Sequence, residues 1–268
     1  MWLVTAVKRG KLASYIAWLG VKSAYEYRAA FWLQVIGMII NNSAVMVVLV
    51  LFYAQFGNVH GWGFKDSLFV FGVNAIAFGG TQLLFGNMIG NNLGERIVDG
   101  NLDTYMLFPQ DTLFHLSIRR IDISGLGDIL SGLSYVLLSG YLNSWHALLL
   151  PIGVVAAMAV LYGGSLLVQS LTFWFAGLRS YGGVYTSTVT MTANWPRNAF
   201  TGLSKVVLLG VFPALFTVYL PAQLVTRFEW SALGLVVAFA VAINIAGRLV
   251  FARGLKRYES GNLVTTNL

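Results

Sequence analysis

The sequence contains no cysteine. That excludes disulfides, thiolate metal sites and cysteine nucleophiles together. Charge is scarce too: 10% of the 268 residues are Asp, Glu, Lys or Arg, against roughly 25% in an average soluble domain. A soluble chain of this size covers its surface with charge, and this one cannot. Catalytic constellations are missing. His60, His115 and His146 stand apart from one another, and the chain has no HExxH, no GxSxG and no Walker lysine loop. No catalytic residue and no metal ligand set is expected. A chain of buried acids, as a proton-coupled pump would carry, is absent as well.

What the sequence has instead is apolar length. Hydrophobic residues make up 57% of it, and the mean hydropathy is +0.72. A helix needs about 20 apolar residues to cross the hydrocarbon core. Runs of that kind lie at about Ala29–Ala54, Ser67–Gly90, Ile121–Leu142, Ala147–Phe175 and Ser231–Ala252, with one more between Tyr181 and Pro221. The expected fold is an all-α integral membrane protein with six transmembrane helices. No stretch between them is long enough to bury a soluble core.

The net charge is +7. The basic residues sit between the apolar runs, which points to juxtamembrane positions and not to nucleic acid. With both termini cytoplasmic, the inner segments hold 15 of the 17 basic residues, and Lys65 and Arg227 are the outer two. Near the start, Lys8, Arg9 and Lys11 interrupt any signal-peptide apolar region.

The fifth span has two readings. Hydropathy favours Leu203–Pro221. Tyr181–Pro196, rich in Ser, Thr, Gly and Tyr, can also cross if it faces protein or a wet cavity. Residues 197–226 would then form a re-entrant outer hairpin punctuated by Pro213 and Pro221, and the basic count becomes 13 inside and 4 outside.

Several segments are candidates for function. Residues 1–28 form an amphipathic leader in which Leu12, Tyr15, Ile16 and Leu19 recur at helical spacing, as in a helix lying in the membrane interface. Residues 91–121 form the longest inner loop. Glu95, Asp99 and Asp103 alternate there with Leu102, Met106, Leu107 and Phe108, and Pro109 ends the run. This reads as a short helix with one acidic and one apolar face, fit to dock into a groove on a soluble partner or to lie on the bundle. Gly86, Gly90 and Gly94, four apart, suit close helix approach or a frayed helix end. Asp122 and Asp128 are the candidate intramembrane charges, with Arg119 and Arg120 near enough in sequence to pair with them. Tyr185, Thr188, Thr192, Asn194 and Asn41 are candidates for a translocation path, though such groups also hold helices together.

Five stretches carry a family resemblance. Glu95, Gly100, Leu102, Asp103 and Pro109 fall in the pattern of the loop after span 2 in ABC type-2 exporter permeases. Leu171–Gly183, the Trp195-Pro196 pair and Phe212–Gln223 resemble one branch of those permeases, as does the RYESGN-like tail within Gly254–Asn262. Trp195 stands where the family often has tyrosine. The resemblance implies one permease domain over 1–268, with an interfacial helix in 1–28, a coupling loop at 91–121, a re-entrant hairpin at 197–226 and a cytoplasmic tail at 253–268. It implies a cytoplasmic ABC ATPase dimer as partner, holding ATP and magnesium, and a second permease chain, identical or different. Glu95, Arg96, Asp99, Gly100, Leu102, Asp103, Met106, Phe108 and Pro109 would contact the ATPase. The site of action would be a cell membrane, the bacterial inner membrane. The competing reading is a partner-independent secondary transporter or channel, for which Asp128 is the available coupling charge.

Overall fold

A computed structural model describes residues 2–59, 61–119, 121–143, 145–197, 200–227 and 229–258. For residues 2–9 and for Ala17, Val21, Asn143, Trp145, His146 and Leu209 the backbone alone is described. His60, Arg120 and the RYESGN-like ending from Glu259 onward lie outside the described residues.

The regular structure described is helical, with one isolated bridge between Val59 and Trp62. Helix α1 (Trp2–Glu26) turns at Tyr27 into α2 (Arg28–Phe56). Then come α3 (Phe64–Phe85), α4 (Asn92–Val98), α5 (Asp103–Met106), α6 (Thr112–Ile118) and α7 (Gly125–Ser139). After these follow α8 (Leu150–Ser170), α9 (Tyr181–Ala193), α10 (Gly202–Val206), α11 (Leu220–Thr226) and α12 (Trp230–Arg257).

Four segments are long and apolar enough to cross a membrane: Arg28–Phe56, Phe64–Val98, Ala147–Phe173 and Trp230–Arg257. Gly125–Ser139 and Leu215–Thr226 are shorter apolar helices. The stretch expected to span at Ile121–Leu142 is thus helical over 15 residues only, roughly 22 Å of rise. Its first residues are spent on a turn in which Asp122 accepts hydrogen bonds from the Ser124 hydroxyl (2.6 Å) and backbone N–H (3.2 Å).

The bundle is assembled on small residues. Helices α3 and α7 run antiparallel and meet at two glycine pairs, Gly72 with Gly132 and Gly79 with Gly125. A Cβ added at Gly132 would stand 2.6 Å from the Gly72 carbonyl oxygen, and one at Gly79 would stand 2.5 Å from that of Gly125. Without a hydrophobic drive between helices in lipid, such close backbone contact supplies the packing energy. Helix α2 joins through α7: a Cβ at Gly127 would lie 2.5 Å from the Val35 carbonyl oxygen, and Asn42 donates to buried Asp128 at 2.7 Å. Asn244 of α12 donates to the Ala159 carbonyl of α8 at 2.8 Å.

The expected pairing of Asp122 and Asp128 with Arg119 therefore needs correction, while Arg120 lies outside the described residues. The first turn of α7 aims Asp128 at α2, and Asn42 meets it there. Arg119 instead stacks its guanidinium over Tyr105 and Phe108, at 5.1 and 5.7 Å from the ring centres.

Between α9 and α11 the chain leaves one end of the bundle and comes back to it. The Tyr219 hydroxyl donates to the Thr192 carbonyl at 2.9 Å and also to that of Trp195, at the end of α9. In between, Phe212 stacks on Tyr185 at 6.1 Å. Tyr185 lies seven residues before Thr192 in α9, roughly 10 Å deeper. The segment Leu203–Pro221 is no continuous helix. Single π-turns at Val207–Val211 and Leu215–Tyr219 flank a break at Phe212–Pro213, where proline cannot donate a helical hydrogen bond.

Candidate functional site

The connection from α3 to α7 gathers at the end of the bundle where α2 begins and α12 ends. Helix α3 stops at Phe85, and a tight turn, Gly86–Met88, follows. Gly90 then takes φ +70°, which lets the chain reverse into α4. The reversal is pinned by side chains distant in sequence. Gln169 of α8 is fully buried, and its Oε1 accepts from the N–H groups of Leu93 (2.9 Å) and Gly94 (3.3 Å). These are orphan donors of the first turn of α4, so Gln169 caps that helix from outside. Its Nε2 donates to the Met88 carbonyl (2.9 Å) and to the Ser165 hydroxyl (3.0 Å), and Ser165 itself donates to Met88. Asn91 accepts from the Gly183 N–H of α9 at 2.6 Å. A Cβ at Gly94 would stand 2.5 Å from the Arg179 carbonyl oxygen. These contacts tie α4 and the turn before it to α8 and to the first turn of α9.

Below α4 the sequence divides into a buried and a free half. Gly100 at φ +74° makes the turn into α5. Leu93, Ile97, Leu102 and Tyr105 join Leu113, Leu116, Leu166, Phe173 and Phe251 in one core cluster. Met106, Leu107 and Phe108 are left 44%, 84% and 45% exposed, next to exposed Pro109. Glu95 and Asp99 are exposed as well, while Arg96 is half-buried, donates to Asn87 (3.3 Å) and stacks on Tyr105 (5.2 Å). The expected single amphipathic helix is in fact two short helices around a glycine turn.

One candidate contact residue requires correction. Leu102 is fully buried inside this chain, so its side chain is committed to the core and is not free to meet a partner. The most exposed apolar residue of the segment is Leu107, which belongs to the apolar face read from the sequence but not to the residues the family resemblance sets against the ATPase. Its position directly before Phe108-Pro109, past the turn of α5, was the available signal.

Two titratable groups border the segment. Burial, and then the neighbouring Arg119 charge, hold the His115 imidazole below its usual pKa. Burial, reinforced by the Asp103 carboxylate, pushes the Tyr258 hydroxyl up to about 12.

The candidate path residues do not line one open passage within the chain. Tyr185 and Thr192 are buried, and Asn194 accepts from Asn74 at 2.8 Å. Thr188 is half-buried, and Asn41 lies on the exposed side of α2, next to buried Asn42. Gly86, Gly90 and Gly94 do not share one helix face, because the helix ends among them. Among the described residues no group of three His, Cys, Asp or Glu could hold a metal.

A helical bundle with several membrane-length helices and glycine seams between them is a multi-pass membrane protein. The sequence model of a family described as ABC-2 family transporter protein matches residues 39–261, and the chain belongs to that family. Members of that family are membrane components of transporters. No curated protein and no solved structure matches the chain.

Proposed function

We propose that this chain is the permease subunit of an ATP-binding-cassette exporter, driven by a separate cytoplasmic ATPase dimer that holds ATP and magnesium. Met106, Leu107 and Phe108 carry this reading: three exposed apolar side chains on a short segment whose other face is locked into the bundle. Exposed Glu95 and Asp99 add an acidic edge for basic groups on the ATPase. Burying each apolar side chain in a partner groove is worth roughly 1.5–3 kcal/mol. Closure of the ATPase dimer pushes the segment, and the Gln169 and Asn91 hydrogen bonds pass that motion to α8 and α9.

In this reading the chain crosses the bacterial inner membrane six times, with both termini and residues 91–121 in the cytoplasm. The crossings are α2, α3, α7, α8, α9 and α12. Residues 197–226 are the re-entrant outer hairpin, supported by the return of Tyr219 to Trp195 and the dip of Phe212 to Tyr185. Two permease chains, identical or different, complete the unit. The weakly covered outer faces of α2 and α9 leave room for the second. Membership in the branch with the RYESGN-like tail belongs to the same proposal.

The test is Leu107→Glu combined with Phe108→Ala in membranes containing the ATPase. We expect normal insertion, loss of ATPase co-purification and at least a tenfold fall in substrate-stimulated ATP hydrolysis. Unchanged ATPase binding and hydrolysis would overturn the coupling role. Full transport by the chain alone under an ion gradient would establish the secondary-transporter reading in its place.

A further inference from the structure

Helix α1 meets the connector through Gly20. Gly20 packs against Ile121, where an added Cβ would stand 3.1 Å from the Ile121 Cδ1. Toward the N-terminus a groove of about 460 Å³ opens between α1 and the connector. Leu12, Ile16 and Leu19 form one wall, Phe108 and Ile121 the other. The apolar stripe of α1 thus faces a gap inside the chain and not only the surface. A partner helix about 10–12 Å across would fill that volume within roughly one turn. A narrow, flexible apolar chain fits it better.

The rim of the groove is polar and cationic. Arg119 lines it, with its guanidinium held on the faces of Tyr105 and Phe108. His115 lines it too. That ring is buried, and its Nδ1 has no hydrogen-bond partner among the described residues. Exposed Lys11 follows the stripe on α1, and Lys22 sits 5.5 Å from the Trp18 ring centre. The nearest acid in sequence, Asp122, is engaged by Ser124. From Trp2 to Tyr25 the helix has no acidic residue. A buried nitrogen lacking a partner, beside a fixed guanidinium at the mouth of an apolar slot, matches a phosphate on an acyl chain.

We infer that this groove binds one anionic phospholipid, its phosphate at Arg119 and His115 and an acyl chain between α1 and Phe108–Ile121. The inference needs only that the chain sits in a membrane; it shares Phe108 with the coupling reading, so its variants leave Phe108 unchanged.

The experiment purifies the full chain in detergent from membranes containing phosphatidylglycerol and zwitterionic phospholipid. Retained lipid is counted by phosphorus assay and identified by mass spectrometry. Wild type should keep phosphatidylglycerol in preference to zwitterionic lipid after exhaustive detergent exchange. Arg119→Gln should lose it several-fold, and Arg119→Lys should restore part of it. Ile16→Trp, which fills the slot and keeps the charge, should lose it as well. Arg253→Gln, an exposed basic change at the same end of the bundle, should retain it. A thermal unfolding scan of each variant shows whether the bundle is intact. Adding phosphatidylglycerol to phosphatidylcholine nanodiscs should raise the unfolding temperature of wild type and leave that of Arg119→Gln unmoved. Equal loss in Arg119→Gln and Arg253→Gln would mean diffuse surface attraction and overturn the site. Retention of zwitterionic lipid to the same extent, or full retention in Ile16→Trp, would overturn it too.

Discussion

At the scale of single residues, two leucines five positions apart in the connector do opposite things. Leu102 is fully buried among Ile97, Tyr105 and Leu116, whereas Leu107 is 84% exposed. Leu102→Ala should destabilise the folded chain by about 2–5 kcal/mol, the usual cost of emptying a packed leucine site. Leu107→Ala should leave thermal unfolding within about 0.5 kcal/mol of wild type and weaken ATPase binding. Unfolding scans and co-purification on the two variants separate the roles, and the reverse pattern would contradict this partition. The sequence could not separate them. Both leucines sit in one acidic–apolar run, and which of them turns inward depends on the φ +74° turn at Gly100. His115 gives a second residue-scale expectation. Its folded pKa lies below the ordinary value, so the unfolded chain binds its proton first as pH falls. The contribution of the neutral ring is fully present above about pH 6.5 and is lost as pH drops below it. The unfolding temperature of wild type should therefore fall more between pH 7.5 and 5.5 than that of His115→Gln. Parallel curves would show that the ring does not titrate in this window.

At the scale of elements, the membrane-length helices were legible because hydropathy marks them directly, within a few residues at each end. What joins them was not legible. Gln169 caps α4 from 75 and 76 positions away, and nothing in its local sequence marks it apart from other polar residues in apolar helices. The glycine seam was equally hidden. Gly72 and Gly79, like Gly125 and Gly132, are seven apart, but sequence does not say which helix faces which. The seam gives a paired prediction. Gly79→Ala puts a methyl 2.5 Å from the Gly125 carbonyl oxygen, while a methyl at Gly37 of α2 meets nothing within 4 Å. Gly79→Ala should lower stability by roughly 1–3 kcal/mol through overpacking. Gly37→Ala should be neutral or slightly stabilising, since alanine is the better helix former. Steric trapping or thermal scans in detergent measure both, and equal effects would show that the seam is looser than drawn. Gln169→Leu leaves the first turn of α4 uncapped, and it should uncouple ATP hydrolysis from transport while insertion stays normal.

At the scale of the whole molecule, the asymmetry of charge between the two ends carries the topology. Arg28, Arg96, Arg119, Arg179, Arg253, Lys256 and Arg257 gather at the end that holds the connector. Lys65, Arg197 and Arg227 lie at the other, where Asp66 bonds Tyr141 and the hairpin returns. An anionic leaflet attracts each basic group by about 1 kcal/mol, which supports the proposed placement of the connector end in the cytoplasm. The chain has no cysteine, so a single engineered thiol can be labelled without background. Asp99 is exposed beside the Gly100 turn, and Arg197 sits at the return of the hairpin near Tyr219. In intact cells, a membrane-impermeant maleimide should label Arg197→Cys and not Asp99→Cys. Permeabilisation should then expose Asp99→Cys. If Arg197→Cys reacts only after permeabilisation, the hairpin is not outside, and α9 is not the fifth crossing. If Asp99→Cys reacts from outside, the connector faces away from any cytoplasmic ATPase, and ATP-driven export by this chain fails with it.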